Sequence, residues 1–219
     1  MIMRAFLRTV LRPLLLGGLF LAAMANTAAD DRPVLLLLGD SISAAYGMDL
    51  EQGWASLLQQ RLNTEGYSLR VANASISGET TAGGRRRIEQ LLVKHRPALV
   101  IVELGGNDAL RGYPITQLRN NLRDMVTKSQ NAGAAVLLLA MEAPPNFGAR
   151  YTSAFRDSFS KVAAQTDARV SDFMLEGIAL EAGMMQADGI HPTISAQPRL
   201  LDNVWSSLQP MLEPFATQP

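Results

Sequence analysis

The sequence predicts a three-layer α/β fold around a mostly parallel sheet of five strands. Three observations carry that expectation. Apolar runs without polar alternation occur at Val34 to Leu38, Ala98 to Val102 and Ala134 to Ala140, the pattern of strands covered on both faces. Between them lie segments with apolar residues at helical spacing, and an alternation of strand and helix implies a parallel sheet with right-handed crossovers. The 219 residues are 47% apolar, enough for the core of one domain.

Ahead of the first strand, Arg4, Arg8 and Arg12 precede an apolar run from Leu14 to Met24, and small residues follow at Ala23, Ala25, Ala28 and Ala29. A positive region, an apolar stretch and an Ala-x-Ala site predict a signal peptide over residues 1–25 and a mature domain over 26–219. Cleavage is placed after Ala25, with Ala29 as the alternative. The apolar run falls short of the roughly 20 residues needed to span a bilayer. A lipid anchor would need a cysteine, and the chain has none. The expectation is an exported, periplasmic monomer without stable membrane insertion. Its 17 basic and 20 acidic side chains leave a net charge of −3.

The remaining elements follow in order. After Val34 to Leu38, the residues Trp54, Leu57, Leu58 and Leu62 predict a helix over roughly 52–64, closed by Gly66. Tyr67 to Ala72 read as a second strand. A small-residue loop, Asn73 to Thr80, leads to a helix with Ile88, Leu91 and Leu92 inward and Arg85 to Arg87 outward, which Pro97 stops. The strand Ala98 to Val102 runs into Glu103-Leu104-Gly105-Gly106-Asn107-Asp108. Pro114 stands near the start of a helix carrying Leu118, Leu122, Met125 and Val126. The strand Ala134 to Ala140 exits into a loop stiffened by Pro144 and Pro145. A helix near 150–166, a short strand at Ala168 to Ser171, and a turn-rich loop through Pro192 come next. The last helix carries Leu200, Leu201, Val204, Trp205 and Leu208, with Pro198 in its first turn.

Composition excludes several chemistries. Without cysteine there is no disulfide, thiol nucleophile or Cys-based zinc site. Two histidines, His95 and His191, are too few for a His-rich metal site. No basic block suggests nucleic acid. The glycine pairs fit neither a dinucleotide fingerprint nor a P-loop, and no G-x-S-x-G elbow occurs. No metal or cofactor is expected.

Parallel sheets bind ligands beyond the carboxyl ends of their strands. Ser41, Gly78 and Asn107 follow the first three strands, so they can meet on one rim. Read alone, Gly39-Asp40-Ser41 is either a reacting group in its turn or a helix-capping turn. Asp188 precedes His191 by three residues across a turn containing Gly189, close enough to reach the imidazole. His191 is either a base or an ordinary loop histidine. His95, in Lys94-His95-Arg96-Pro97, reads as structural, with a partly positive ring suiting a helix C-terminus.

Gly39-Asp40-Ser41-Ile42, Gly78 in its small loop, Gly105-Gly106-Asn107-Asp108 and Asp188-Gly189-Ile190-His191 resemble the four blocks of the SGNH (GDSL-type) hydrolases, in order and at similar spacing. The resemblance covers about Val34 to Leu212 and is nearest the exported bacterial thioesterase I, lysophospholipase and arylesterase group. Ile42 stands where many members have Leu. The resemblance implies a flavodoxin-like layering and a metal-independent serine hydrolase. It gives Ser41 as nucleophile, His191 as general base and Asp188 as its orienting acid. It gives an oxyanion hole from the N–H groups of Ser41 and Gly78 and the side-chain amide of Asn107. A missing Cβ at Gly78 is expected to let the backbone approach substrate. Leu110, Pro144 and Phe147 fall in loops that border the acyl site of similar proteins. The substrate is then a small acyl ester or thioester: aryl esters, acyl-CoA-like thioesters or lysophospholipids. A carbohydrate acetylesterase is the alternative enzyme, and a nucleotide- or lipid-binding protein the alternative class.

Neighbouring polar residues have plainer readings. Asp40 is expected to stabilise its turn, and Asp108 to bond nearby backbone. Ser43, Ser75 and Ser77 read as loop hydroxyls. Glu103, at the end of a buried strand, needs a partner such as an arginine.

Overall fold

The structure, a computed structural model, describes residues 30–217, so the predicted leader over residues 1–25 lies outside them. The chain from Arg32 onward forms the domain. Its strands are β1 (Val34–Gly39), β2 (Arg70–Asn73), β3 (Leu99–Glu103), β4 (Ala135–Ala140) and β5 (Arg169–Phe173). Its helices are α1 (Trp54–Thr64), α2 (Thr81–His95), α3 (Gly106–Leu110), α4 (Ile115–Asn131), α5 (Ala149–Thr166) and α6 (Gln197–Leu208).

The strands pair in the order β2-β1-β3-β4-β5, every neighbour parallel. Helices α2, α4 and α5 lie side by side on one face, and α1 packs with α6 on the other. Sheet residues face helices on both sides, which is why the strands are apolar throughout: Leu35 to Leu38 and Leu99 to Val102 are fully buried. Trp54, Phe155 and Phe159 fill the largest spaces between helices and sheet.

Local chemistry sets the element ends. The Thr80 hydroxyl accepts from the Gly83 N–H at 3.3 Å and caps α2. Arg96 turns left-handed (φ 44°) at the other end, ahead of Pro97. Pro198 sits in the first turn of α6, where a missing N–H costs nothing.

Two expectations need revision. The second strand begins at Arg70 rather than Tyr67, because residues 66–68 pair with the C-terminal segment. Ser68 donates to the Phe215 carbonyl at 2.7 Å, Thr217 donates to that of Gly66 at 2.8 Å, and Tyr67 bridges Ala216. The arginine run is not wholly outward. Arg87 folds back to Glu79 (2.8 Å) and to the Ala74 carbonyl (3.1 Å).

Candidate active site

From β1 the chain moves to β2 on one side, and β3 then lies on the other. The loops leaving β1 and β3 therefore diverge and open a crevice, the usual ligand position in such sheets. Gly39 and Glu103, the last residues of β1 and β3, stand in register. A Cβ on Gly39 would lie 2.5 Å from the Glu103 carboxyl, so only glycine fits there.

Ser41 opens the turn beyond β1. The Ala44 N–H donates to the Asp40 carbonyl (3.0 Å) and the Tyr46 N–H to that of Ser41 (3.1 Å). The loop from Asp188 to His191 crosses to it. Asp188 Oδ1 accepts from the backbone N–H groups of Ile190 (2.9 Å) and His191 (3.0 Å). Gly189 makes this turn with φ +66°. Asp188 Oδ2 is then free to meet His191 Nδ1 at 2.6 Å, and His191 Nε2 stands 2.8 Å from Ser41 Oγ. An acceptor-only carboxylate at Nδ1 favours the tautomer with its proton there, leaving Nε2 to accept from the serine. The imidazole contact, helped by the two backbone N–H groups, holds the Asp188 carboxyl down at about 2.

Asn107 sits in the first turn of α3, a helix too short to be visible in the sequence pattern. Ser41, Gly78, Asn107 and His191 share the lining of one cavity of about 250 Å³. At Gly78 the reason for glycine is conformational. Its φ is +78°, whereas an added Cβ would meet nothing nearer than the Arg111 guanidinium at 3.9 Å. The space this leaves open on the cavity side is compatible with the expected close approach of substrate. Arg111 donates to the carbonyls of both Asn107 (3.2 Å) and Gly78 (3.3 Å), strapping the two loops together.

Below this cavity lie two buried carboxyls. Asp40 stabilises its turn as expected, accepting from the Ile42 N–H at 3.0 Å, and its second oxygen accepts from Asn107 Nδ2 at 3.2 Å. Desolvation raises its carboxyl to about 6, against the lowering effect of these hydrogen bonds and of His191. Among the described residues Glu103 has no arginine partner. One of its oxygens accepts from the Asp40 N–H (3.0 Å) and the Ser43 hydroxyl (2.7 Å). Burial, then the charge of Asp40, push its carboxyl well above the usual range, which favours the neutral acid. Ser43 is a hydroxyl of the turn after β1, as expected, but a buried one. Asp108 bonds a distant segment: its oxygens accept from the Thr81 N–H (2.8 Å) and hydroxyl (2.6 Å), fixing α3 to the start of α2.

A larger cleft of about 620 Å³ continues from the small cavity, sharing Ile42, Gly106, Leu110 and Ile190 with it. Leu110 and Pro144 line it, with Met141, Met174, Leu180 and Met185. Phe147 lines neither cavity. It closes the one-turn 145–147 segment and its ring packs on Tyr151 (5.4 Å between centroids) and against Gly112.

His95 lies at the C-terminal end of α2, just before the start of β3, and so at the amino-terminal rim of the sheet, away from the site. Burial and the charges of Lys94 and Arg70 lower its pKa, so the partly positive ring expected there is disfavoured. Two residues at the site carried no sequence signal. Tyr46 stacks on the His191 ring, with centroids 4.2 Å apart. Gln186 donates to the carbonyls of Tyr46 (2.9 Å) and Pro192 (3.0 Å), tying the histidine loop to the serine turn. Both act through position, which residue type does not encode.

Residues 37–197 match the GDSL-like Lipase/Acylhydrolase family. The chain is 54% identical over 202 residues to Esterase TesA of Pseudomonas aeruginosa, covering 92% of this chain and all of that one. It is 40% identical over 193 residues to a thioesterase 1/protease 1/lysophospholipase of Escherichia coli, covering 88% of each. Among solved structures, a psychrotrophic esterase EstA from Pseudoalteromonas sp., inhibited by monoethylphosphonate, superposes with a TM-score of 0.79 at 41% identity, over 82% of this chain and 98% of that one. The match over most of the chain and these identities place it in a family, and the protein is a GDSL-like lipase/acylhydrolase.

Proposed function

We propose that the chain hydrolyses carboxylic esters and thioesters through an acyl-enzyme on Ser41. The observation that carries this reading is the continuous chain Ser41 Oγ–His191 Nε2, His191 Nδ1–Asp188 Oδ2 at the mouth of an apolar cleft. His191 takes the Ser41 proton as the oxygen attacks the acyl carbon. The carbonyl oxygen becomes an oxyanion facing the N–H groups of Ser41 and Gly78 and the amide of Asn107. On collapse the alkoxide or thiolate departs with the proton from His191. Water then attacks the acyl-serine by the same route in reverse. Asp188 stays ionised and orients the ring.

The volume of about 620 Å³ and the largely apolar lining of the cleft favour acyl chains longer than acetyl, hence aryl esters, acyl-CoA-like thioesters and lysophospholipids over acetylated carbohydrate. The inhibition of EstA by monoethylphosphonate supports a serine nucleophile, because phosphonates react with activated serine hydroxyls. The composition of residues 1–25 supports export, and no helix among the described residues is long and apolar enough to cross a membrane.

A fluorophosphonate should label Ser41, and Ser41→Ala should abolish labelling and hydrolysis together. Turnover by that variant sinks the reading. A chain-length series of p-nitrophenyl esters should peak beyond acetate. Activity confined to acetate favours the carbohydrate alternative.

A further inference from the structure

We propose that Glu103 is a positioning residue: as a buried neutral acid it keeps Asp40 the acceptor that sets the orientation of the Asn107 amide. The proposal rests on the acyl-enzyme reading of Ser41.

Glu103 is fully buried at the end of β3. One oxygen, Oε2, already accepts from two donors, the Asp40 N–H and the Ser43 hydroxyl. The other, Oε1, is buried and meets no donor. As a carboxylate, Glu103 would carry an unpaired charge there, a costly arrangement. As an acid it places its proton where no other hydrogen is supplied, and the adjoining ionisable group is the carboxyl of Asp40. Two buried carboxyls that interact in this way share one proton rather than both ionising.

Which of them holds the proton decides the geometry above. Both oxygens of Asp40 are in use as acceptors, one toward the Ile42 N–H and one toward Asn107 Nδ2. A carboxylate accepts only, so it selects the Asn107 rotamer whose NH₂ faces it and leaves the second N–H free for the cavity. A protonated Asp40 could donate to Asn107 Oδ1 instead. That rotamer would aim a carbonyl oxygen at the forming oxyanion. With the proton on Glu103, Asp40 stays acceptor-only. The other titratable group facing Asp40 is His191, whose positive form stabilises the same charged state.

The test compares Glu103→Leu, Glu103→Gln and Asp40→Asn by kcat, KM, pH profile and Ki for a trifluoromethyl ketone, whose hemiketal oxygen occupies the oxyanion position. Glu103→Leu should lower kcat about tenfold or more, part of the 10²–10³ that one oxyanion donor supplies. KM should stay within twofold, Ki should rise in step, and the acid limb should move to higher pH. Glu103→Gln can accept with its oxygen and donate with its amide, so it should recover most of the kcat lost in Glu103→Leu. Asp40→Asn should lower kcat and weaken the ketone. If Glu103→Leu does not fold, the contrast between Glu103→Gln and Asp40→Asn decides. A Glu103→Leu enzyme with wild-type kcat, acid limb and Ki overturns the proposal. So does a Glu103→Gln enzyme as impaired as Asp40→Asn. Activity in Ser41→Ala would instead overturn the reading on which this one stands.

Discussion

The ring of Tyr46 lies 4.2 Å from that of His191, centroid to centroid, with the planes 28° apart. The stack restrains the imidazole that bridges Ser41 and Asp188. Tyr46→Ala should lower kcat about two- to tenfold, since an aromatic pair contributes ~0.5–1.5 kcal/mol beyond its area. Tyr46→Phe keeps the ring and should behave as wild type. Steady-state kinetics on a p-nitrophenyl ester check both, and a Tyr46→Phe enzyme as slow as Tyr46→Ala would assign the effect to the hydroxyl.

Asn107→Ala removes a neutral donor from the cavity beside Ser41. Turnover should fall about 10²–10³-fold with little change in KM, the signature of an interaction made in the transition state. An unchanged rate removes Asn107 from the oxyanion hole.

The carboxyls predict two opposite pH dependences of stability. Asp188 is held at about 2 by His191 and backbone N–H groups, below the ordinary ~3.9. Its contribution is present above pH ~4 and lost as pH falls toward 2. Glu103 is raised by burial and by Asp40, so the folded state keeps a proton that the unfolded chain releases near pH ~4.3. That cost is absent below pH ~4 and grows as pH rises. Asp40, raised to about 6, behaves likewise between about 4 and 6. Thermal unfolding should therefore show Glu103→Gln gaining on wild type from pH 4 to 7. A gap that is constant with pH contradicts a neutral Glu103.

Leu110 lines both cavities and is 42% exposed, so its truncation should not threaten the fold. Leu110→Ala should lower kcat/KM for octanoyl esters several-fold while sparing acetyl esters, given ~0.8 kcal/mol per buried methylene. Phe147→Ala should leave chain-length preference unchanged and lower the melting temperature, because its ring packs on Tyr151. Matched ester series on the two variants separate these outcomes.

The three central strands, β1, β3 and β4, are legible because strands buried on both faces are written as unbroken apolar runs. Tyr67 and Ser68 read as the start of the second strand, yet they lie against Phe215 and Ala216, a pairing no local window contains. The residues of α3 look like a loop because Gly106, Asn107 and Asp108 are poor helix formers. They form a single turn because the Asp108 carboxyl is bound by Thr81. Ser41, Gly78, Asn107, Asp188 and His191 were legible as motif blocks. The partner of Glu103 was not. A rule that pairs buried acids with arginine has no place for an acid that solves its burial by keeping a proton. Phe147 failed for a related reason: proximity in sequence to a binding loop does not set the direction of a ring.

Ser41 and His191 are separated by 150 positions, and Gln186 fastens one loop to the other late in the chain. On the proposed acyl-enzyme reading, a nascent chain therefore carries its serine long before the imidazole that would activate it exists. Until the last quarter of the sequence has been made and docked, that hydroxyl is as inert as any alcohol. The topology thus works as a timer, withholding hydrolytic power from every incomplete copy of the enzyme.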